Sequence, residues 1–250
     1  MTGLETLFLA YGAACVFGAA IVRGYSGFGF SLLAITSLSL AFEPRQVVPA
    51  IFMMEIAASL HLMPGIWRDV HWRSIGGLVV GCIVATPVGV WLLATAPAAP
   101  MKIGLAVFVA VATGLLWRGF VLRRTPGTAA TLATGAASGF FNGAVGIGGP
   151  PVILFYFSSP AAAHVGRASL IAYFLATDLI GLAFMAPHEL IDRSVLMRFL
   201  VFLPALLAGV WLGAHSFRGA DPAKFRRWIL VLLFAMAALT GGKGLLELLT

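Results

Sequence analysis

Two glycine-rich breaks carry the residue types from which an anion site could be built: Arg23-Gly-Tyr-Ser-Gly-Phe-Gly-Phe30 and Asn142-Gly-Ala-Val-Gly-Ile-Gly-Gly-Pro-Pro151. Glycine permits φ > 0 and close backbone approach, and proline can begin a helix but cannot donate a hydrogen bond. A helix that starts after such a break presents unsatisfied N–H groups and the positive end of its dipole, which suits an anion. Gly27, Gly29, Gly146 and Gly148 are the glycines expected to shape the cradle. Ser26 adds a hydroxyl donor to the first break. Asn142 can both donate and accept beside the second, although it equally suits a helix cap. Close helix packing through small residues is the competing reading of each break.

Four charged residues are further candidates. Arg23 precedes the first break and Arg167 precedes a later apolar run; a guanidinium offers a fixed fork to an oxyanion. A snorkelling arginine at the membrane interface would occupy the same kind of position. Glu55 and Asp178 lie deep in the apolar runs Phe52-Met-Met-Glu-Ile-Ala and Leu175-Ala-Thr-Asp-Leu-Ile. An ionisable group at membrane depth must be paired or take up a proton, so both are candidates for proton coupling. A structural carboxyl bonded to a neighbouring helix is the alternative. No metal-ligand spacing, nucleotide-binding glycine pattern or nucleophile–base arrangement accompanies them, so neither cofactor nor metal is expected.

The elements that must position these residues are membrane helices. Of 250 residues 60% are hydrophobic and 10% charged, against about a quarter charged in a soluble domain. Apolar runs at 4–22, 29–42, 47–63, 75–95, 103–122, 129–145, 151–158, 168–186, 195–215 and 228–248 predict an all-α polytopic membrane protein with about eight to ten segments. Segments 29–42 and 151–158 are too short for a full crossing and directly follow the breaks. Half-helices, re-entrant hairpins and continuations of their neighbours all remain open for them. The N-terminus lacks a basic region, which favours a spanning helix over a cleaved signal peptide. Cys15 and Cys82 lie inside apolar segments, where no disulfide framework is implied.

The net charge of +7 is scattered over short loops, which points to topology and not to nucleic acid. With the N-terminus outside, eleven basic residues fall on inside loops or helix ends and five outside, so both termini are expected outside. The two halves, 1–124 and 125–250, match one another. Gly89-Val-Trp-Leu92 recurs as Gly209-Val-Trp-Leu212, an offset of 120. Gly27-Phe-Gly29 aligns with Gly146-Ile-Gly148 at 119, Pro100 with Pro222 at 122, and Glu55 with Asp178 at 123. Five passes per half would give inverted-topology repeats, a recurrent transporter architecture with its site at the repeat interface. Four passes per half would make the repeat parallel.

These residues resemble the TauE/SafE family of membrane permeases, also called the sulfite exporter or TSUP family. The resemblance rests on Gly24–Phe30 and Gly143–Pro150, the Gly-Val-Trp-Leu helices and the duplicated layout, and it covers essentially the whole chain. Phe28 and Phe30 depart from the fuller glycine run of the family, which would narrow a pocket there. The resemblance implies an inner-membrane secondary transporter of small sulfur-containing oxyanions, sulfite or organosulfonates such as sulfoacetate, often working as an exporter. Coupling to protons and alternating access between the halves are expected, and a homodimer is compatible with the pattern. A passive anion channel, an uptake permease for small carboxylates and a membrane-embedded enzyme are the alternatives.

Overall fold

The computed structural model describes residues 3–118, 127–157, 163–216 and 222–249. The expected boundary between the halves, at 124 and 125, lies outside the described residues, as do Arg123, Arg124 and Arg218. Among the described residues ten α-helices follow one another: α1 (Gly3–Ser26), α2 (Phe30–Leu38), α3 (Pro44–Leu62), α4 (Trp72–Thr95), α5 (Ala98–Trp117), α6 (Thr128–Val145), α7 (Gly149–Phe157), α8 (Ala163–Met185), α9 (Arg193–Ser216) and α10 (Pro222–Leu249). Short 3₁₀ turns at Met63–Gly65, Trp67–Asp69 and Ala186–His188 follow α3 and α8. No strand occurs among the described residues. Six helices are long and apolar enough to cross a membrane by length and composition. The chain is an all-α polytopic membrane protein.

The two short segments are nine-residue helices, α2 and α7. At about 1.5 Å per residue each extends about 14 Å, roughly half of a hydrocarbon core. Each is separated from the preceding long helix by three residues, 27–29 or 146–148. The chain can turn there because glycine accepts left-handed backbone: φ is +80° at Gly27, +89° at Gly29 and +72° at Gly146. Gly146 closes α6 with its N–H on the Asn142 carbonyl and the Ile147 N–H on that of Phe141, the C-terminal pattern that satisfies orphan carbonyls.

Helix pairing is reciprocal between the halves. Helix α1 packs along α9 and α6 along α4; α3 packs on α8 and α5 on α10. Helix α4 also meets α8 as α9 meets α3. The recurring Gly-Val-Trp-Leu motif explains two of these contacts. Gly89 of α4 lies against the Phe140 carbonyl of α6, and Gly209 of α9 against the Phe17 carbonyl of α1. Two residues on, Trp91 and Trp211 each keep 57% of their surface exposed, pointing away from those contacts toward lipid.

Without a hydrophobic force between helices in lipid, close packing through small residues holds such pairs together. A Cβ on Gly143 would meet the Thr86 carbonyl oxygen at 2.6 Å and the Val90 nitrogen at 2.8 Å. Both are backbone atoms of α4 and cannot step aside. A methyl group on Gly18 of α1 would meet nothing within 4 Å, and that position is exposed. Gly143→Ala should therefore lower the thermal unfolding temperature in detergent. Gly18→Ala should raise stability by up to about 1 kcal/mol through helix propensity alone. Equal shifts for the two would contradict the close α4–α6 approach.

Helices α3 and α8 form the central pair, each with 61% of its apolar span buried. They are the helices that carry Glu55 and Asp178.

Candidate functional site

The last turn of α1 runs further than the apolar pattern suggests and places Arg23 inside the helix, four residues before the left-handed Gly27. Arg23 does not snorkel to an interface; its side chain is fully buried. Its Nη1 pairs with Glu55 Oε2 at 2.7 Å, and its Nη2 donates to Ser59 Oγ at 2.7 Å. Glu55 and Ser59 are four residues apart on α3 and so present one face. The guanidinium carbon also lies 5.3 Å from the centre of the Phe174 ring, over its face. Glu55 Oε1 accepts the Ser31 N–H at 3.2 Å. One carboxylate therefore joins the end of α1 to the first turn of α2 and fills part of the anion-attracting N-terminus.

The second break has the same plan with weaker charge. Asn142, at the position that corresponds to Arg23 by the offset of 119, donates from Nδ2 to Asp178 Oδ1 and to the Thr177 carbonyl, both at 3.4 Å. Its Oδ1 accepts the Gly148 N–H at 3.2 Å, so it holds the break as well as the carboxyl. Ser138, one turn earlier on α6, donates to the Gly148 carbonyl at 2.6 Å. Asp178 Oδ2 is buried and has no hydrogen-bond partner among the described residues. Asp178 is close enough to Glu55 and Arg23 for the three charges to interact.

Arg167 completes the group from the first turns of α8. Its stem covers the first break: a Cβ on Gly27 would meet Arg167 Cγ at 2.7 Å, and Nη2 donates to the Gly24 carbonyl at 3.0 Å. It has no carboxylate within ion-pair distance among the described residues, and its buried Nε has no hydrogen-bond partner there. The charge that acts on it is the like charge of Arg23. A carbonyl cannot neutralise a guanidinium, so Arg167 is the cation with capacity left for an anion.

The amides are used unevenly. Gly27 N–H bonds to the Arg23 carbonyl at 2.8 Å and Gly146 N–H to that of Asn142 at 2.9 Å. The Ser26 hydroxyl donates to the Val22 or Phe28 carbonyl, at 2.8 and 2.7 Å. The N–H groups of Gly29 and Phe30 have no acceptor among the described residues. Gly148 is packed against α6, with a Cβ there only 2.8 Å from the Ser138 carbonyl oxygen. The structure thus brings Arg23, Glu55, Asn142, Asp178 and the breaks into one buried group, with Arg167 at its edge.

Sequence reasoning did not single out Ser59, Ser138, Phe174 or Thr177. Their signal was available: Ser59 stands four residues after Glu55, Ser138 four before Asn142, and Phe174 four before Asp178.

A glycine-broken pair of helices around a buried ion pair describes a class of sites, and comparison with known proteins narrows it. The family model described as "Sulfite exporter TauE/SafE" matches residues 12–240. The chain belongs to this family. A TauE/SafE member is a multi-pass membrane transporter and not an enzyme. One relative, from Cupriavidus necator, is named "Probable sulfite/organosulfonate exporter TauE"; it is 24% identical over 223 residues, covering 87% of this chain and 86% of the relative. Another, from Comamonas testosteroni, is named "Probable inner membrane transporter protein TsaS" and is 27% identical over 194 residues, 74% of this chain and 78% of the relative. No solved structure matches the chain. All residues of the buried group and its breaks fall inside the TauE/SafE match.

Proposed function

We propose that this TauE/SafE protein is a proton-coupled secondary transporter that exports small sulfur-containing oxyanions, sulfite or organosulfonates, across the inner membrane. The substrate class and direction follow the name of the Cupriavidus necator relative, and the membrane that of the Comamonas testosteroni relative. The observation that carries the reading is the contrast between the buried guanidinium of Arg23 and the half-buried one of Arg167. Arg23 is neutralised by Glu55, whereas Arg167 lies against the first break with a carbonyl as its partner. Arg167 and the amides of Gly29 and Phe30 supply positive potential for an oxyanion; Arg23, Ser26, Gly27, Gly146, Gly148 and Asn142 hold the two breaks in shape around it.

Asp178 is the proton carrier in this reading. With Glu55 paired to Arg23, an ionised Asp178 adds a negative charge that offsets the unpaired charge of Arg167. A proton on Asp178 removes that charge and makes an anion at Arg167 more favourable through the linked charges of Arg23 and Glu55. Proton and anion then move together, and in export the outward gradient of the anion drives both. The reciprocal helix pairing supports two repeats of five helices each; counted as five passes, the halves have opposite orientations and both termini lie outside. Alternating access is motion of these repeats about α3 and α8.

Binding tests the site directly. Sulfoacetate should raise the unfolding temperature of the purified protein, and Arg167→Gln should weaken the apparent affinity by about 10- to 100-fold, the worth of a charged hydrogen bond. An unchanged affinity in Arg167→Gln would remove Arg167 from the site.

A further inference from the structure

Asp178 is buried between helices, and α4, α6 and α8 around it carry rows of hydroxyl and thiol groups. On α8, Ser169, Tyr173 and Thr177 follow at intervals of four and share a face. Cys82 and Thr86 on α4, and Ser138 and Asn142 on α6, do the same. At the outer end the half-exposed Ser74 Oγ lies 2.8 Å from the Tyr156 hydroxyl of α7. The Tyr156 hydroxyl reaches Ser169, which accepts the His71 N–H at 2.9 Å. One turn deeper the fully buried Tyr173 hydroxyl faces Ser138 and Cys82 without closing a hydrogen bond to either. Cys82 in turn lies within electrostatic reach of Asp178.

Many hydroxyls in membrane helices only back-bond to their own helix, as Thr36 does to the Leu32 carbonyl and Ser37 to that of Leu33. Ser74 and Ser138 donate to the His71 and Gly148 carbonyls, yet the Ser74 oxygen also meets the Tyr156 hydroxyl across elements, and the Ser138 oxygen faces that of Tyr173. The decisive comparison is with the other half. At the offsets already established, Cys82 and Thr86 correspond to Phe202 and Leu206, Ser138 to Ala19, and Tyr173 and Thr177 to Ala50 and Met54. All five counterparts are buried in one apolar cluster. At its outer end Arg198 is tied to Gln46, the counterpart of Ser169, at 2.8 Å. The helix pairing is repeated, but the polar lining is not.

We propose that this hydroxyl and thiol file between α4, α6 and α8 is the route by which protons reach Asp178, and that it opens only toward the face carrying Arg68 and Arg73. A proton taken from water at Ser74 is passed inward as each hydroxyl accepts one and releases its own, and it ends on Asp178. On the matching path through α9, α1 and α3 the five corresponding inner positions are apolar and cannot accept it. The charged and titratable groups that act on Asp178 are Glu55 from α3, Arg23 from α1 and Cys82 from α4. Arg23 and Glu55 neutralise each other, which leaves Asp178 as the acceptor at the end of the file.

The inference rests on the proton coupling proposed above, so its test separates the two. Proteoliposomes carrying wild type or Tyr173→Phe are assayed for sulfoacetate accumulation driven by a pH gradient and for sulfoacetate exchange at equal pH. Phenylalanine keeps the ring and removes only the hydroxyl. The file predicts accumulation at least 10-fold slower in Tyr173→Phe, a smaller solvent deuterium effect than in wild type, and unchanged exchange. Equal slowing of exchange and accumulation would mark Tyr173 as structural and overturn the file. Wild-type-like accumulation in the variant would overturn it while leaving coupling intact. Absence of pH-driven accumulation in wild type itself would overturn both.

Discussion

Arg23→Ala is expected to lower stability by about 3–5 kcal/mol and to abolish transport, because it leaves Glu55 buried without its cation. The geometry makes the cost large. Glu55 is 3% exposed, one of its oxygens faces Arg23 at 2.7 Å, and the other has a single amide donor at 3.2 Å. Glu55→Gln exposes the converse fault, a fully buried guanidinium left with Ser59 and the Phe174 ring. Removing both charges together is a different matter. A buried pair replaced by apolar residues of similar volume is often neutral or stabilising. Arg23→Met with Glu55→Leu should therefore recover most of the unfolding temperature lost in either single variant, measured in detergent by thermal unfolding. Transport should stay lost, since the pair also anchors the start of α2 through Ser31. A double variant no more stable than Arg23→Ala would show that the pair is not the source of the cost.

Asp178→Asn should leave a folded transporter that no longer responds to a pH gradient. Asparagine keeps the shape and can still accept the weak Asn142 hydrogen bond, but it cannot carry a proton. The unsatisfied Oδ2 is the reason the substitution is tolerable: no donor among the described residues loses an anionic partner there. The expected split is a loss of gradient-driven sulfoacetate accumulation by at least about 10-fold, equivalent to about 1.4 kcal/mol of driving force, with exchange preserved. Flux with the wild-type pH dependence in Asp178→Asn would remove Asp178 as the carrier. Because Glu55 is locked in its ion pair, Glu55→Gln loses stability first and is the poorer probe of coupling.

Much of the architecture was legible in the chain. Apolar runs mark the ten helices because a helix in lipid must satisfy its own backbone and cover itself with apolar side chains. The glycine pairs mark the breaks because only glycine adopts left-handed backbone freely at Gly27, Gly29 and Gly146. The role of Arg23 was not legible. Helix ends depend on capping and not on hydropathy, so an apolar run ending at Val22 hides a helix that continues to Ser26 and carries Arg23 into the core. Nor did the sequence distinguish Glu55 from Asp178, which align with each other. Their difference arises from what faces them: a guanidinium at 23, an amide at 142. Arg23 and Arg167 looked alike for the same reason, and contacts between distant helices separate them. The polar file escaped notice because its members are single small hydroxyls spread over four helices.

The most direct test of the account is gradient-driven transport by the purified wild-type protein. Proteoliposomes with an alkaline interior are placed in acidic buffer with sulfoacetate, and internal substrate is followed over time. Sulfoacetate should accumulate inside above its external concentration, unchanged chemically, and the gradient should dissipate faster than in empty vesicles. Equilibration to equal concentrations without proton movement would contradict the account and leave a passive anion pathway in its place.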